Sequence, residues 1–296
     1  MKFKSILIAS LVVTVVCGAA IAADSGDTNK TDTASTTDIA QHIQNPLAED
    51  NGGWEFKLMP YVWLPTTLKA SKATLSGHSG ALRLNLQEIL DNLDFLMFGR
   101  MEGWKDDKWG LSYDIVYINL GYDHGFALDE FVDVNLDIDI RIWMNDFAVH
   151  YRLVDERFGD GNKERFIFEP YGGLRYTYLR EIADVREDIP GLGSAGEELG
   201  DSRDWVEPLV GARVRWDLNE KFSVNIRGDA GGFGIGSASK LTYNIIPGCT
   251  YKLTENTTFD FSYRYFDLDY SNGSGSDELA LDVKAYGPVF GMTILF

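Results

Sequence analysis

Arg213, Arg215, Arg227, Asp229, Asp260 and Arg264 stand at alternate positions in segments whose intervening residues are largely apolar, and Arg100, Glu102, Asp114, Arg141, Glu169, Arg175 and Glu207 repeat the habit. Two-residue spacing puts such charges on one face of an extended strand. Acids and bases mixed on one face can neutralise each other as ion pairs, or an arginine ladder such as Arg213, Arg215 and Arg227 can bias a path toward anions. Redox, metal and nucleophilic chemistry find less to work with. The four histidines are His42, His78, His124 and His150, with no H-x-x-x-H pair, no cysteine cluster, no calcium-loop pattern and no G-x-S-x-G elbow. No metal and no cofactor are expected.

The elements that must position these charges are strands. In Val132–Ile142 every even residue is aliphatic and the odd ones through Arg141 are charged or amide, a period no helix produces. Phe222–Arg227, Phe259–Tyr265 and Val206–Trp216 repeat it. Ten strands are predicted, at 54–75, 80–105, 109–122, 130–153, 165–180, 203–218, 222–234, 238–253, 257–270 and 278–296, with eight or twelve as alternatives. Within the second, Leu86–Leu93 has the apolar spacing of a helical turn. Connections alternate between short turns (Asp106–Lys108, Asn219–Lys221, Thr254–Asn256) and longer polar loops (Gly121–Glu130, Glu181–Arg203, Ser271–Glu278). That is the layout of an all-β, closed antiparallel transmembrane barrel with its short side in the periplasm.

Composition agrees. Of 296 residues, 13% are aromatic and 30 are Gly, with a net charge of −18, so a nucleic-acid partner is excluded for want of a basic surface. Residues 1–23 carry Lys2 and Lys4, an apolar run and the small residues Gly18–Ala23, an expected signal peptide. Residues 24–53 are polar and acidic, an expected disordered tether, and 54–296 form the barrel. Cys249 would then be the one cysteine of the exported chain.

Alternation does not say which face looks outward. Aromatics near strand ends (Trp54, Trp109, Trp205, Trp216, Phe222, Tyr251, Phe296) suit the interfacial girdles of a membrane barrel, which turns the apolar face to lipid and makes the listed charges lumenal. The last strand ends in Phe296, with Tyr286, Phe290 and Ile294 in phase. This ending resembles the assembly signal of Gram-negative outer-membrane barrels. Pro60–Pro65, Ile89–Phe95, Tyr171–Tyr176 and Gly287-Pro288 resemble a family of largely uncharacterised proteobacterial outer-membrane β-barrel proteins. The resemblance implies the cell outer membrane as location, outer-membrane lipid and lipopolysaccharide as surroundings, and the barrel-insertion machinery as reader of the last strand. It brings no catalytic residues.

The expected function is a structural, surface or narrow porin-like barrel. The alternative is an outer-membrane enzyme acting on lipid or peptide at the extracellular loops, as lipid A deacylases, phospholipases and the ten-stranded omptin-like proteases do. His124, beside Asp123, would be better placed for that than His150, which lies near the short-turn side. The acidic stretch 181–204 raises a further reading, in which its carboxylates share divalent cations with lipopolysaccharide phosphates.

Overall fold

The computed structural model describes residues 53–75, 78–129, 132–159, 161, 163–189, 193–273 and 279–296. The expected signal peptide and tether therefore lie outside the described residues. Thirteen strands follow in chain order: β1 (Trp54–Trp63), β2 (Thr67–Leu75), β3 (His78–Asn85), β4 (Leu93–Lys105), β5 (Trp109–Asp129), β6 (Val132–Tyr151), β7 (Val154–Phe158), β8 (Glu164–Ile189), β9 (Gly193–Asp217), β10 (Phe222–Gly231), β11 (Leu241–Lys252), β12 (Thr257–Asn272) and β13 (Leu279–Leu295). One helix, α1 (Leu86–Asp91), stands between β3 and β4, where the helical spacing predicted it.

Ten of the strands close a barrel in the order β1-β4-β5-β6-β8-β9-β10-β11-β12-β13, each pair antiparallel, with β13 returning to β1 through Lys57↔Leu295 to Trp63↔Val289. The first predicted strand is β1 and β2 in line, interrupted at Leu64-Pro65-Thr66. Proline cannot donate to the ladder, but its neighbours can: Leu64 N–H reaches Pro288 O at 2.9 Å and Thr66 N–H reaches Tyr286 O at 2.9 Å. The kink crosses β13 at Gly287, where a Cβ would lie 2.0 Å from the Leu64 carbonyl oxygen. The Asp106-Asp107 turn has φ of 51° and 54°, the two left-handed residues of a tight hairpin whose twist matches its strands. Residues 86–91 become helical because Asn85 and Glu88 form a reciprocal capping box and Ile89 is buried against Leu84 and Leu120.

Two of the predicted long loops are largely strand. β8 and β9 run on through most of Glu181–Arg203, paired from Glu181↔Asp201 to Ile189↔Gly193, and β5 and β6 pair out to Asp129↔Val132. β10 stops at Gly231, opposite Leu209. Above that level the wall continues as two four-stranded sheets, β5-β6-β8-β9 and β12-β13-β2-β3, facing each other.

Candidate functional site: the barrel lumen

The site begins with parity. Outward positions near the short-turn rim carry Trp54, Trp109, Trp216, Phe222, Tyr251 and Phe296, all exposed. Eight residues further, from Trp109 to Tyr117 on β5 and from Tyr151 to Trp143 on β6, a second outward belt holds Tyr117 and Trp143, close to the roughly nine to eleven residues with which a tilted strand crosses a bilayer. Trp205 does not join the girdles, as the sequence suggested. It is 2% exposed and points into the lumen, because it shares parity with Glu207 and Leu209.

Between the two belts the lumen is filled by ion pairs, some between neighbouring strands and some across it. Arg175 Nε and Nη2 each donate to Asp146 at 2.7 Å, and Nη2 also donates to Asp229 at 2.9 Å. Asp229 accepts further from Asn244 at 2.9 Å and from the Tyr171 hydroxyl at 3.2 Å. Arg213 bridges Glu169 at 2.6 Å and Glu102 at 2.7 Å, and Arg152 reaches Glu169 at 2.9 Å. Asp114 accepts from Arg100 Nε at 2.7 Å, from Arg227 at 3.3 Å and from the Tyr61 hydroxyl at 2.8 Å. Glu207, fully buried, accepts from the Trp205 indole at 3.1 Å and from Ser239 at 2.5 Å. Arg264 donates to Asn244 at 2.8 Å and lies 4.6 Å over the Trp63 ring.

Of an alternating pairing of Arg213, Arg215 and Arg227 with Asp229, Asp260 and Glu207, the structure keeps an approach of Arg227 to Asp229 at 4.0 Å. Arg215 holds Asp217 at 2.6 Å near the rim, and Asp260 is taken by the hydroxyls of Thr250 (2.6 Å), Thr293 (2.8 Å) and Thr258 (3.3 Å). A buried charge without a partner costs several kcal/mol, and the lumenal charges are answered both by register partners on the adjacent strand, as in Arg175–Asp146 and Arg213–Glu169, and across the lumen, as in Arg213–Glu102 and Arg227–Asp114. A cavity of about 430 Å³ lies on the short-turn side of the network and reaches the rim at Glu255 and Asn256.

Arg141 is a correction. It was expected in the lumen but stands on the outward face of β6, in phase with the exposed Trp143 and Phe147, while Ile140 and Ile142 turn inward. The physical reason is level. Above the second belt the wall leaves the bilayer, and polarity reverts to that of a water-soluble sheet, apolar within and charged without. From the level of the belt upward the inward residues form stacked apolar layers. Tyr61, Trp63, Phe98, Val116, Met144, Phe266, Ala285 and Val289 make the lower one. Above it Leu179, Trp205, Tyr270 and Leu281 pack with Ile140, Ile142, Leu268 and Val283. Leu84, Ile89 and Leu120 close the side beneath α1. Sequence reasoning missed this seal. Its signal was present in the even aliphatic positions of β6, which continue past the length the bilayer requires.

No reactive constellation emerges from the predicted histidines. His150 Nε2 lies 2.8 Å from Ser112 Oγ, but its Nδ1 has no hydrogen-bond partner, and the ring is enclosed by Tyr171 (4.6 Å) and Trp104 (5.9 Å). The side chains of His78, Asp123 and His124, and those of 183–199 that would have bound divalent cations, lie outside the described residues. Among the described residues no three His, Cys, Asp or Glu side chains converge as a metal ion would need. Outside the spanning segments, the Arg165 guanidinium beside Asp155 at 2.7 Å holds that carboxyl below its ordinary range.

Tyr286, Phe290 and Ile294 share the outward face of β13, with Phe296 following in the same phase.

The family profile of Opacity family porin proteins matches residues 168–284. No curated protein matches the chain. Among solved structures, the outer membrane protease OmpT of Escherichia coli is similar at 9% identity and a TM-score of 0.47, over 82% of this chain and 97% of that one. OprG of Pseudomonas aeruginosa gives 18% and 0.33 over 82% and 96%. Ail of Yersinia pestis gives 12% and 0.30 over 82% and 99%.

Proposed function

We propose, for a chain that is an integral outer-membrane β-barrel of the structural or porin-like class, that the barrel is a closed scaffold presenting its two tall sheets outside the cell. One observation carries this reading: the axis is crossed by packed apolar side chains above the ion pairs, with Trp205, Tyr270, Leu179 and Leu281 all nearly excluded from solvent. Dispersion contacts and burial hold such a layer together, and a hydrated ion has nothing there to replace its water. The salt-bridged network beneath stiffens the wall from within.

Planar-bilayer recording tests the proposal. The purified wild-type barrel should add no steady current at moderate voltage, and a reproducible ohmic step would overturn it. A second reading, narrow passage of a small solute, is favoured by the cavity of about 430 Å³ at the short-turn side. It would require the apolar layers to part.

The phase of Tyr286, Phe290, Ile294 and Phe296 supports a role for β13 as the segment read by the barrel-insertion machinery. Deleting Phe296 should lower outer-membrane yield while leaving refolding in detergent intact. Equal yields would remove that role.

A further inference from the structure

At the second aromatic belt and just above it, the outward face of β5, β6 and β8 carries two rows of side chains in register. The lower row is Tyr117↔Trp143↔Tyr178. Tyr117 and Trp143 meet edge to face at 6.4 Å, and Trp143 is 42% exposed. Two residues higher, the next row is Asn119↔Arg141↔Arg180. Two arginines therefore stand directly opposite one another on adjacent strands, and like charges so placed destabilise a sheet. In the lumen Arg100, Arg152, Arg175, Arg213 and Arg227 are each met by a carboxylate. Here, among the described residues, neither guanidinium has an ion-pair partner. Arg141 Nε is buried without a hydrogen bond, and so is Asn119 Oδ1 beside it. The chain carries a net charge of −18, yet among the described residues no carboxylate lies within ion-pair distance of this pair.

The missing partner is an anion, and the level says which. Outward aromatics mark where hydrocarbon gives way to headgroups, so Arg141 and Arg180 lie at the headgroup plane of the outer leaflet. A planar fork of guanidinium donors matches phosphate oxygens. We propose that Asn119, Arg141 and Arg180 form a binding site for a headgroup phosphate of the phosphorylated saccharolipid of that leaflet, with the sugar and the first acyl carbons lying on Tyr117, Trp143 and Tyr178. The site rests on the membrane placement given above, and not on whether the lumen conducts.

Native mass spectrometry of the folded barrel, released from detergent with bisphosphorylated lipid A, tests it. Wild type should retain lipid A at least about tenfold better than R141Q/R180Q, an amount that corresponds to about 1.4 kcal/mol. Phosphatase-treated lipid A should bind wild type as weakly as intact lipid A binds the variant, and inorganic phosphate at millimolar concentration should not compete. R141K/R180K should restore part of the retention. Without lipid the double glutamine variant should unfold at the same temperature as wild type or higher, because the facing charges are gone; lipid A should raise the unfolding temperature of wild type alone. Equal retention by wild type and R141Q/R180Q would overturn the proposal. Equal retention of phosphatidylglycerol and lipid A by wild type would overturn the saccharolipid assignment. If wild type conducts and still loses lipid A on R141Q/R180Q, the closed scaffold fails and this site stands.

Discussion

The Trp205 ring lies on the Tyr270 ring with centroids 4.1 Å apart and 23° between their planes, joining β9 to β12 across the barrel axis. No hydrogen-bonded ladder links those two strands, since β10 and β11 stand between them in the wall. The stack is therefore an interior contact between the two extracellular sheets. Removing both rings should open the seal. W205A/Y270A is expected to admit ions and give single-channel steps in planar bilayers where wild type gives none. Silence from a folded double variant would show that the remaining apolar layers close the axis alone.

Arg175 is the hub of the lumen. It is 1% exposed and its guanidinium faces Asp146, Asp229 and Glu207. Replacing it with Met leaves those carboxylates buried without their cation, which should cost about 3–5 kcal/mol. The mobility shift between folded and unfolded barrel on unheated gels, followed with temperature, measures this. R175M should lose the folded band well below the wild-type temperature, and adding D146N to R175M should recover part of the loss.

Asp155 gives a pH dependence outside the membrane. Its ordinary pKa of 3.8 is lowered in the folded chain, first by the hydrogen bond from Arg165. A carboxyl whose folded pKa is depressed contributes stability that is fully present above the unfolded value and lost as pH falls through the folded one. Protection of the amides of residues 154–158, corrected for intrinsic exchange, should therefore be constant from pH 7 to about pH 5. It should fall on acidification below the ordinary carboxylate range. In D155N the protection should already be low at neutral pH. A wild-type profile flat down to pH 2 would contradict the assignment.

Gly287 is fixed by the kink at Pro65. G287A places a methyl against the Leu64 carbonyl, so the β1–β13 seam must shift, at about 1–3 kcal/mol or more. At Gly99 an added Cβ would meet only ordinary contacts, with Ile115 at 3.8 Å and Met59 at 4.0 Å. Folded-band yield should drop for G287A and stay near wild type for G99A.

Much of this architecture could be read from period two alone. Ten crossings, the short turns and the helical turn at Leu86 all follow from residue spacing. What spacing does not carry is height along the barrel. Val132–Ile142 alternates perfectly, yet Ile140 and Ile142 turn inward because that level of β6 lies above the bilayer. The lumenal expectation for Arg141 rests on a single polarity rule along the whole strand, whereas the girdle expectation for Trp205 rests on its residue type against its parity with Glu207. The acidic 181–204 segment was read as loop because charge outweighs apolar residues there, whereas its ladder is held by backbone pairing that side-chain composition does not report. Pairing within the lumen was only partly legible: Arg100–Asp114, Arg175–Asp146 and Arg213–Glu169 join register partners on neighbouring strands, but Arg213–Glu102 and Arg227–Asp114 are set by distance across the cylinder, which spacing along the chain does not report.

Arg213 and Glu102 are separated by 111 residues, Arg227 and Asp114 by 113. A half-inserted chain that has placed β4 and β5 but not β9 and β10 must hold Glu102 and Asp114 wet. Asp114 already has Arg100 on β4, but the share of the compensation that comes from Arg213 and Arg227 arrives only when β9 and β10 curl round and meet them. Completion of the cylinder is thereby coupled to neutralisation of its contents, and the polypeptide has little reason to rest at an intermediate curvature: hydration keeps the open ribbon accessible, and mutual charge cancellation locks the finished ring.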